Sequence, residues 1–240
     1  MRTAARSITL VLPYYDNPTI FEAQQRLWAS YPAELRARLH VIVVDDCSPR
    51  WPALPHVTES GVASFALYRT QVDVRWNWIF GRNLGVDRSS TPWVLLTDID
   101  HLVPVETLRR LLDGECDATI AYRLSRVDAP DRTPYKPHPN TWFLSRALYD
   151  RVGGYDERFS GYYGSDGDFR RRLELTARRI VMLPEVMIRV PRTVIADAST
   201  TTYTRKEKSD KQNVKRILAE REGVSKWRPL RLSFPYERLL

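Results

Sequence analysis

Apolar runs of five or six residues recur along the first hundred positions and stop abruptly at polar turns, which is the pattern of strands buried on both faces. Ile8 to Leu12 ends at Pro13, Leu39 to Val44 ends at the acidic pair Asp45-Asp46, and Trp93 to Thr97 ends at Asp98-Ile99-Asp100. Helical signals fill the gaps between them. Pro18 to Tyr31 opens with proline after Asn17 as cap, and Trp76 to Asp87 carries Gly81-Arg82-Asn83. A shorter strand is predicted over Phe65 to Tyr68. Strands alternating with helices predict an α/β fold with a mostly parallel sheet.

The second half is less regular. Pro104 to Asp113 reads as a helix, Ala118 to Tyr122 as a strand, and Val127 to Asn140 as a proline-rich polar loop. Thr141 to Leu144 is a short apolar run. Helices over Arg146 to Val152 and Asp168 to Arg178 flank the glycine- and tyrosine-rich segment Gly153 to Gly167, and Ile180 to Leu183 reads as a strand. Beyond a polar stretch at Thr200 to Thr204, Lys206 to Glu222 reads as a charged amphipathic helix. Trp227 to Leu240 then mixes arginines with Trp227, Phe234 and Tyr236. One domain over residues 1–198 is expected, divided near residue 103, followed by a basic helical extension over residues 199–240.

Composition narrows the class. With 43% hydrophobic and 28% charged residues and no apolar run near the twenty or so that a bilayer requires, no membrane span is expected. The N-terminus lacks the apolar core of a signal peptide, so a cytoplasmic location is expected. Cys47 and Cys116 have no metal-ligand spacing and suggest neither a zinc site nor a disulfide. The net charge of +8 is concentrated late: residues 199–240 hold eleven Lys/Arg against five Asp/Glu. Such a tail suits nucleic acid or an anionic membrane surface at which the protein would sit peripherally, and it equally suits a solvated helix face.

In an open parallel sheet, ligands bind beyond the carboxyl ends of the strands. Both Asp45-Asp46 and Asp98-Ile99-Asp100 fall at such ends. Carboxylates gathered in one crevice repel unless a cation joins them, and a hard divalent ion with one or two carboxylates plus phosphate oxygens suits a diphosphate leaving group. A single aspartate there would ordinarily be a turn-former or helix cap. The combination with a downstream Asp166-Gly167-Asp168 goes beyond capping.

Ile8 to Pro13 with Tyr14-Tyr15, Val41 to Ser48, Gly81 to Gly85 and Leu96 to Asp100 resemble, in order and spacing, family 2 glycosyltransferases of the GT-A fold. Gly153 to Phe159 and Gly161 to Phe169 resemble the acceptor-side motif of galactosyltransferase-like C-terminal regions. The resemblance covers about residues 7–190 and implies sugar transfer, with inversion, from a nucleotide-sugar donor, foremost a UDP-sugar. By position it implies that Pro13, Tyr14, Asp46, Arg82, Asn83 and Asp98 bind the donor. It further implies that Asp98 and Asp100 hold Mn²⁺ or Mg²⁺, and that Asp166 is the general base. Trp142, Tyr162, Tyr163 and Gly164 would meet the acceptor, which could be a glycan, a lipid-linked glycan or a nucleic acid such as modified DNA.

Two departures stand out. Ser165 replaces the acidic residue usual before the base, leaving Asp168 either to share the role or to cap the following helix. No histidine follows His138, so Asp197 or water would fill the late metal position. His101 and His138 are weak candidates, and Trp76 and Trp78 read as core. A catalytically silent domain that binds nucleotide sugar or nucleic acid is the alternative.

Overall fold

The computed structural model describes residues 6–162, 166–199, 211–222 and 228–240, and among these ten strands form one sheet. The strands are β1 (Ile8–Tyr14), β2 (Leu39–Asp45), β3 (Ser64–Thr70), β4 (Trp93–Leu96), β5 (His101–Leu102), β6 (Ile120–Asp128), β7 (Thr133–Tyr135), β8 (Trp142–Ser145), β9 (Arg179–Arg189) and β10 (Tyr236–Arg238). The helices are α1 (Pro18–Ser30), α2 (Ala33–Arg36), α3 (Trp78–Arg88), α4 (Val105–Asp113), α5 (Arg146–Val152), α6 (Asp166–Thr176) and α7 (Lys211–Ala219). The sheet order is β10-β3-β2-β1-β4-β8-β6-β9-β5, with β7 paired to β6.

The predicted apolar runs form the centre of this sheet, where β3, β2, β1 and β4 are parallel neighbours. They are apolar throughout because both faces are covered. Phe21 and Trp28 of α1 pack on Ile8, Leu10 and Val43, while Ile79, Phe80 and Leu84 of α3 pack on Val11, Ile42 and Val44 from the other side. A Cβ at Gly85 would lie 2.2 Å from Val11 Cγ1, so glycine is what lets α3 approach β1 this closely. Strand β1 continues through Pro13 to Tyr14. Its ladder with β4 ends at Val11, so on that side no partner asks for the N–H that proline lacks. Since these strands run the same way, the residues after β2 and β4 leave the sheet at one edge.

The other half departs from the sequence reading. Strand β8 is antiparallel to both β4 and β6, and β6 runs parallel to β9. The loop expected over residues 127–140 contains β7, a short hairpin partner of β6. The strand expected to end at Leu183 extends to Arg189. Its ladder slips where Leu124 faces Leu183 and Ser125 faces Val186, and this irregularity accommodates Pro184.

The C-terminal residues also differ from a free basic extension. Strand β10 pairs antiparallel with β3, Phe234 and Tyr236 lie 5.5 and 6.0 Å from the Phe80 ring, and Ile217 of α7 is buried against the α5–α6 layer. Glu157 accepts the backbone N–H groups of Leu232 and Ser233, both at 2.7 Å. Arg221 bridges Asp156 and Asp168. Residues 228–240 thus extend the sheet edge and pack, partly buried, on the cluster around Phe80. No helix among the described residues is long and apolar enough to cross a membrane.

Candidate active site

A cavity of about 550 Å³ opens at the edge where β1, β2 and β4 end. Pro13, Tyr14, Asp46, Asp98, Asp100, Tyr162 and Asp166 all border it, so residues from five separate sequence segments meet there. Tyr163, Gly164 and Ser165 lie outside the described residues. Tyr14 is held by its hydroxyl, which donates to the Trp51 carbonyl at 2.5 Å. Burial, then the charge of Asp45, raises its pKa far above the ordinary phenol value and keeps it protonated. Asp45 does not reach the cavity. Its two oxygens accept the N–H groups of Ser48 and Ala53 at 2.8 and 2.9 Å, forming the turn that presents Asp46.

The two aspartates of the D-x-D segment have different neighbours. Asp98 Oδ1 receives a charged hydrogen bond from Arg82, and Oδ2 lies 3.2 Å from His138 Nε2. Burial opposes ionisation of Asp98, but His138 and Arg82 outweigh it and hold the carboxyl well below the usual carboxylate range. Burial pushes the His138 pKa down despite Asp98, and its Nε2 faces the carboxylate as an N–H donor. Its Nδ1 then accepts from the Thr141 hydroxyl at 3.3 Å. Asp100 Oδ1 lies 2.7 Å from His101 Nδ1, and Oδ2 accepts from the Ser199 hydroxyl at 3.0 Å. An Arg126 N–H donates to His101 Nε2 at 3.0 Å, which assigns the ring proton to Nδ1, facing Asp100. The two imidazoles lie 4.7 Å apart, one behind each aspartate.

This donor set fits a hard divalent cation that is completed by substrate. Asp100 faces the cavity, and each of its oxygens keeps lone-pair capacity beyond its one hydrogen bond. Asp98 has both oxygens engaged by cationic or N–H donors, which makes Asp100 the better ligand of the two. No cluster of three or more His, Cys, Asp or Glu side chains among the described residues forms a metal cage. Ions of the Mg²⁺ class need none, since one or two carboxylates with phosphate oxygens and water suffice. Asp197, considered for the late ligand position, is used elsewhere. Its carboxylate accepts the N–H groups of Thr19 and Ile20 at 2.6 and 3.1 Å and caps α1, the role expected of Asn17.

Three expected contact residues lie behind the wall instead of on it. Arg82 is fully buried, between Asp98, the Asn140 carbonyl and the Tyr155 hydroxyl, with its guanidinium 4.8 Å from the Trp78 ring. Burial works against its charge, but Tyr155 and Asp98 more than offset this and raise its pKa. It acts on the cavity through Asp98. Asn83 is consumed structurally: Nδ2 donates to the Tyr155 carbonyl and Glu157, and Oδ1 accepts from Tyr149 and the Tyr155 N–H. Trp142 is wholly buried against Phe169, because alternation along β8 turns it toward α6 while Phe143 faces the opposite layer. Trp76 and Trp78, read from sequence as core, border the cavity.

On the acceptor side, Asp166 stands in the first turn of α6, two residues earlier than the predicted start. Asn140 Nδ2 donates to its Oδ1 at 2.8 Å and fixes the carboxylate while Oδ2 has no hydrogen bond among the described residues. Asp168 cannot share a base role, since Arg172 and Arg221 occupy its oxygens. Asn140, Ser199, His101 and His138 are the supporting residues that sequence reasoning missed or discounted. His101 directly follows Asp100, whereas Asn140, Ser199 and His138 lie 26 or more positions from the aspartates they contact, which conceals them.

No protein-family model matches the chain, and no curated protein is significantly similar to it. Solved structures are similar in fold. S. aureus TarS 1-349 in complex with UDP-GlcNAc superposes with a TM-score of 0.62 at 16% identity, covering 80% of this chain and 61% of that one. The mannosyltransferase PcManGT from Pyrobaculum calidifontis, in complex with GDP-Man and Mn²⁺, gives 0.60 at 20% identity, covering 90% and 69%. GalNAc-T7 with UDP, GalNAc and Mn²⁺ gives 0.59 at 11% identity, covering 78% and 44%. The chain has the GT-A glycosyltransferase fold.

Proposed function

We propose that this protein transfers a sugar, with inversion, from a nucleotide-sugar donor, foremost a UDP-sugar, to an acceptor hydroxyl. The observation that carries the reading is the convergence of Asp98, Asp100 and Asp166 on one cavity at the strand ends of a GT-A fold. Fold neighbours that bind UDP-GlcNAc, UDP or GDP-Man support the donor class.

Pro13, Tyr14 and Asp46 form the side of the cavity suited to the nucleoside, with Trp76 and Trp78 offering aromatic surface. Asp100, steadied by His101 and Ser199, would hold Mn²⁺ or Mg²⁺. Bound there, such an ion supplies charge neutralisation for the departing diphosphate. Asp98, locked by Arg82 and His138, presents a fixed negative edge suited to a ribose hydroxyl or a metal-bound water. Asp166 accepts the proton of the acceptor hydroxyl through Oδ2 as the acceptor oxygen bonds to the anomeric carbon and the bond to the diphosphate breaks. Asn140 keeps that carboxylate oriented. A single carboxylate base opposite the leaving group is the arrangement that inversion requires.

The test is a thermal-shift and donor-hydrolysis screen of UDP-, GDP-, dTDP- and CMP-sugars with and without Mn²⁺. One nucleotide class should raise the melting temperature by about 5 °C at a hundredfold excess over Kd. The shift should need Mn²⁺ and vanish in Asp100→Asn. Absence of any donor response would overturn transfer and leave a silent domain.

A further inference from the structure

Beside the main cavity lies a recess of about 210 Å³ lined by Arg123, Arg170, Glu174 and Ile180. Arg123 and Arg170 also line the main cavity, so the two spaces share a wall. Arg170 follows Asp166 by one turn of α6, which places the two side chains on one helix face. Arg123 comes from β6, under that helix.

Neither arginine is saturated. Arg123 has no carboxylate partner among the described residues; one terminal N–H reaches the His138 carbonyl at 3.3 Å, and its buried Nε has no hydrogen-bond partner. Arg170 gives Nε to Glu174 at 2.8 Å, and its terminal nitrogens make no hydrogen bond among the described residues. Burial, and after it repulsion from Arg170, lowers the Arg123 pKa, with Glu174 opposing that shift. Two guanidiniums and one carboxylate line the recess, and the wall carries surplus positive charge beside the candidate base.

We infer that the wall formed by Arg123 and Arg170 binds a phosphate group carried by the acceptor and thereby sets the acceptor hydroxyl against Asp166. This rests on the transfer reading above. The donor groups select the ligand class. One guanidinium fork saturates a carboxylate, whereas a phosphate presents oxygens in several directions and takes N–H groups from two arginines on different elements at once. Position separates this subsite from the donor. Asp46, Asp98 and Asp100 stand at the ends of β2 and β4, while Arg123 and Arg170 flank Asp166 on β6 and α6.

The experiment is a ³¹P NMR titration of the full chain, saturated with UDP and the diamagnetic Mg²⁺, using inorganic phosphate and, separately, ribose 5-phosphate as a hydroxyl-bearing ester. Both should bind without displacing UDP. Arg170→Gln and Arg123→Gln should each weaken binding about tenfold or more, the loss expected for one charge-assisted hydrogen bond. UDP affinity should not change. The Arg170 side chain is half exposed, so its variant isolates recognition from folding. Equal affinity in wild type and variants, displacement by UDP, or binding of inorganic phosphate but not of the ester would overturn the inference. UDP affinity in the same samples judges the donor reading separately: intact UDP binding with arginine-independent phosphate sinks only the acceptor assignment.

Discussion

The donor and acceptor sides of the cavity handle charge in opposite ways. On the donor side, Asp98 and Asp100 each have two oxygens already occupied by partners, and a histidine stands behind each. That side is set before anything binds, which suits a function of placing a diphosphate and its cation accurately. On the proposed acceptor side, and among the described residues, Arg123 and Arg170 keep open donors and Asp166 has one oxygen held. Its electrostatics are completed by what enters. Under the proposed function, such a division would let one rigid donor platform serve while the acceptor wall sets the choice of substrate.

Removing residues 228–240 should have the largest effect and would break the comparison by showing the two sides to be interdependent. The deletion strips β10 from β3 and takes the Leu230, Leu232 and Ser233 N–H groups away from the Asp156 and Glu157 carboxylates. Because Phe234 and Tyr236 pack, partly buried, on Phe80 and β10 closes the edge of β3, a loss of cooperative unfolding by calorimetry is expected. A truncated chain that melts normally would return these residues to the status of a tail. Next, Asp166→Asn should lower the transfer rate by about two to four orders of magnitude while donor affinity by calorimetric titration stays put. Parallel loss of both would mean that the sides are not separable. The smallest effect probes packing beneath the donor side. Gly85→Ala should cost about 1–3 kcal/mol in denaturant unfolding through its collision with Val11. Gly81→Ala, whose added Cβ would meet Pro13 and Val44 at 3.5 Å or more, should be near neutral.

The same two sides differ in how far they were legible. The parallel half could be read because a strand covered on both faces must be apolar throughout, so Leu39 to Val44 and Trp93 to Thr97 announce themselves and their terminal aspartates follow. The antiparallel half hides its strands. Pro184 interrupts β9 at a slip in the ladder, and β7 sits among prolines and charges because it lies at the sheet's margin. Motif likeness located Asp98, Asp100 and Asp166 at the cavity but overreached for Asn83 and Trp142, which carry the right identities yet face the interior. A side chain's direction depends on which layer covers its strand or helix, and that is a property of the assembled fold. For the same reason Asn140 and Ser199, far in sequence from the aspartates they contact, gave no local sign.

Asp197 caps α1 across a separation of 177 residues from Ile20. The same stretch is tied to α1 a second time, because the Asn17 side chain donates to the Asp197 carbonyl. Two positions further along, Ser199 reaches Asp100. The cap of α1 and the support of the candidate cation ligand thus hang on one three-residue stretch, so a change that displaces residues 197–199 would disturb both at once.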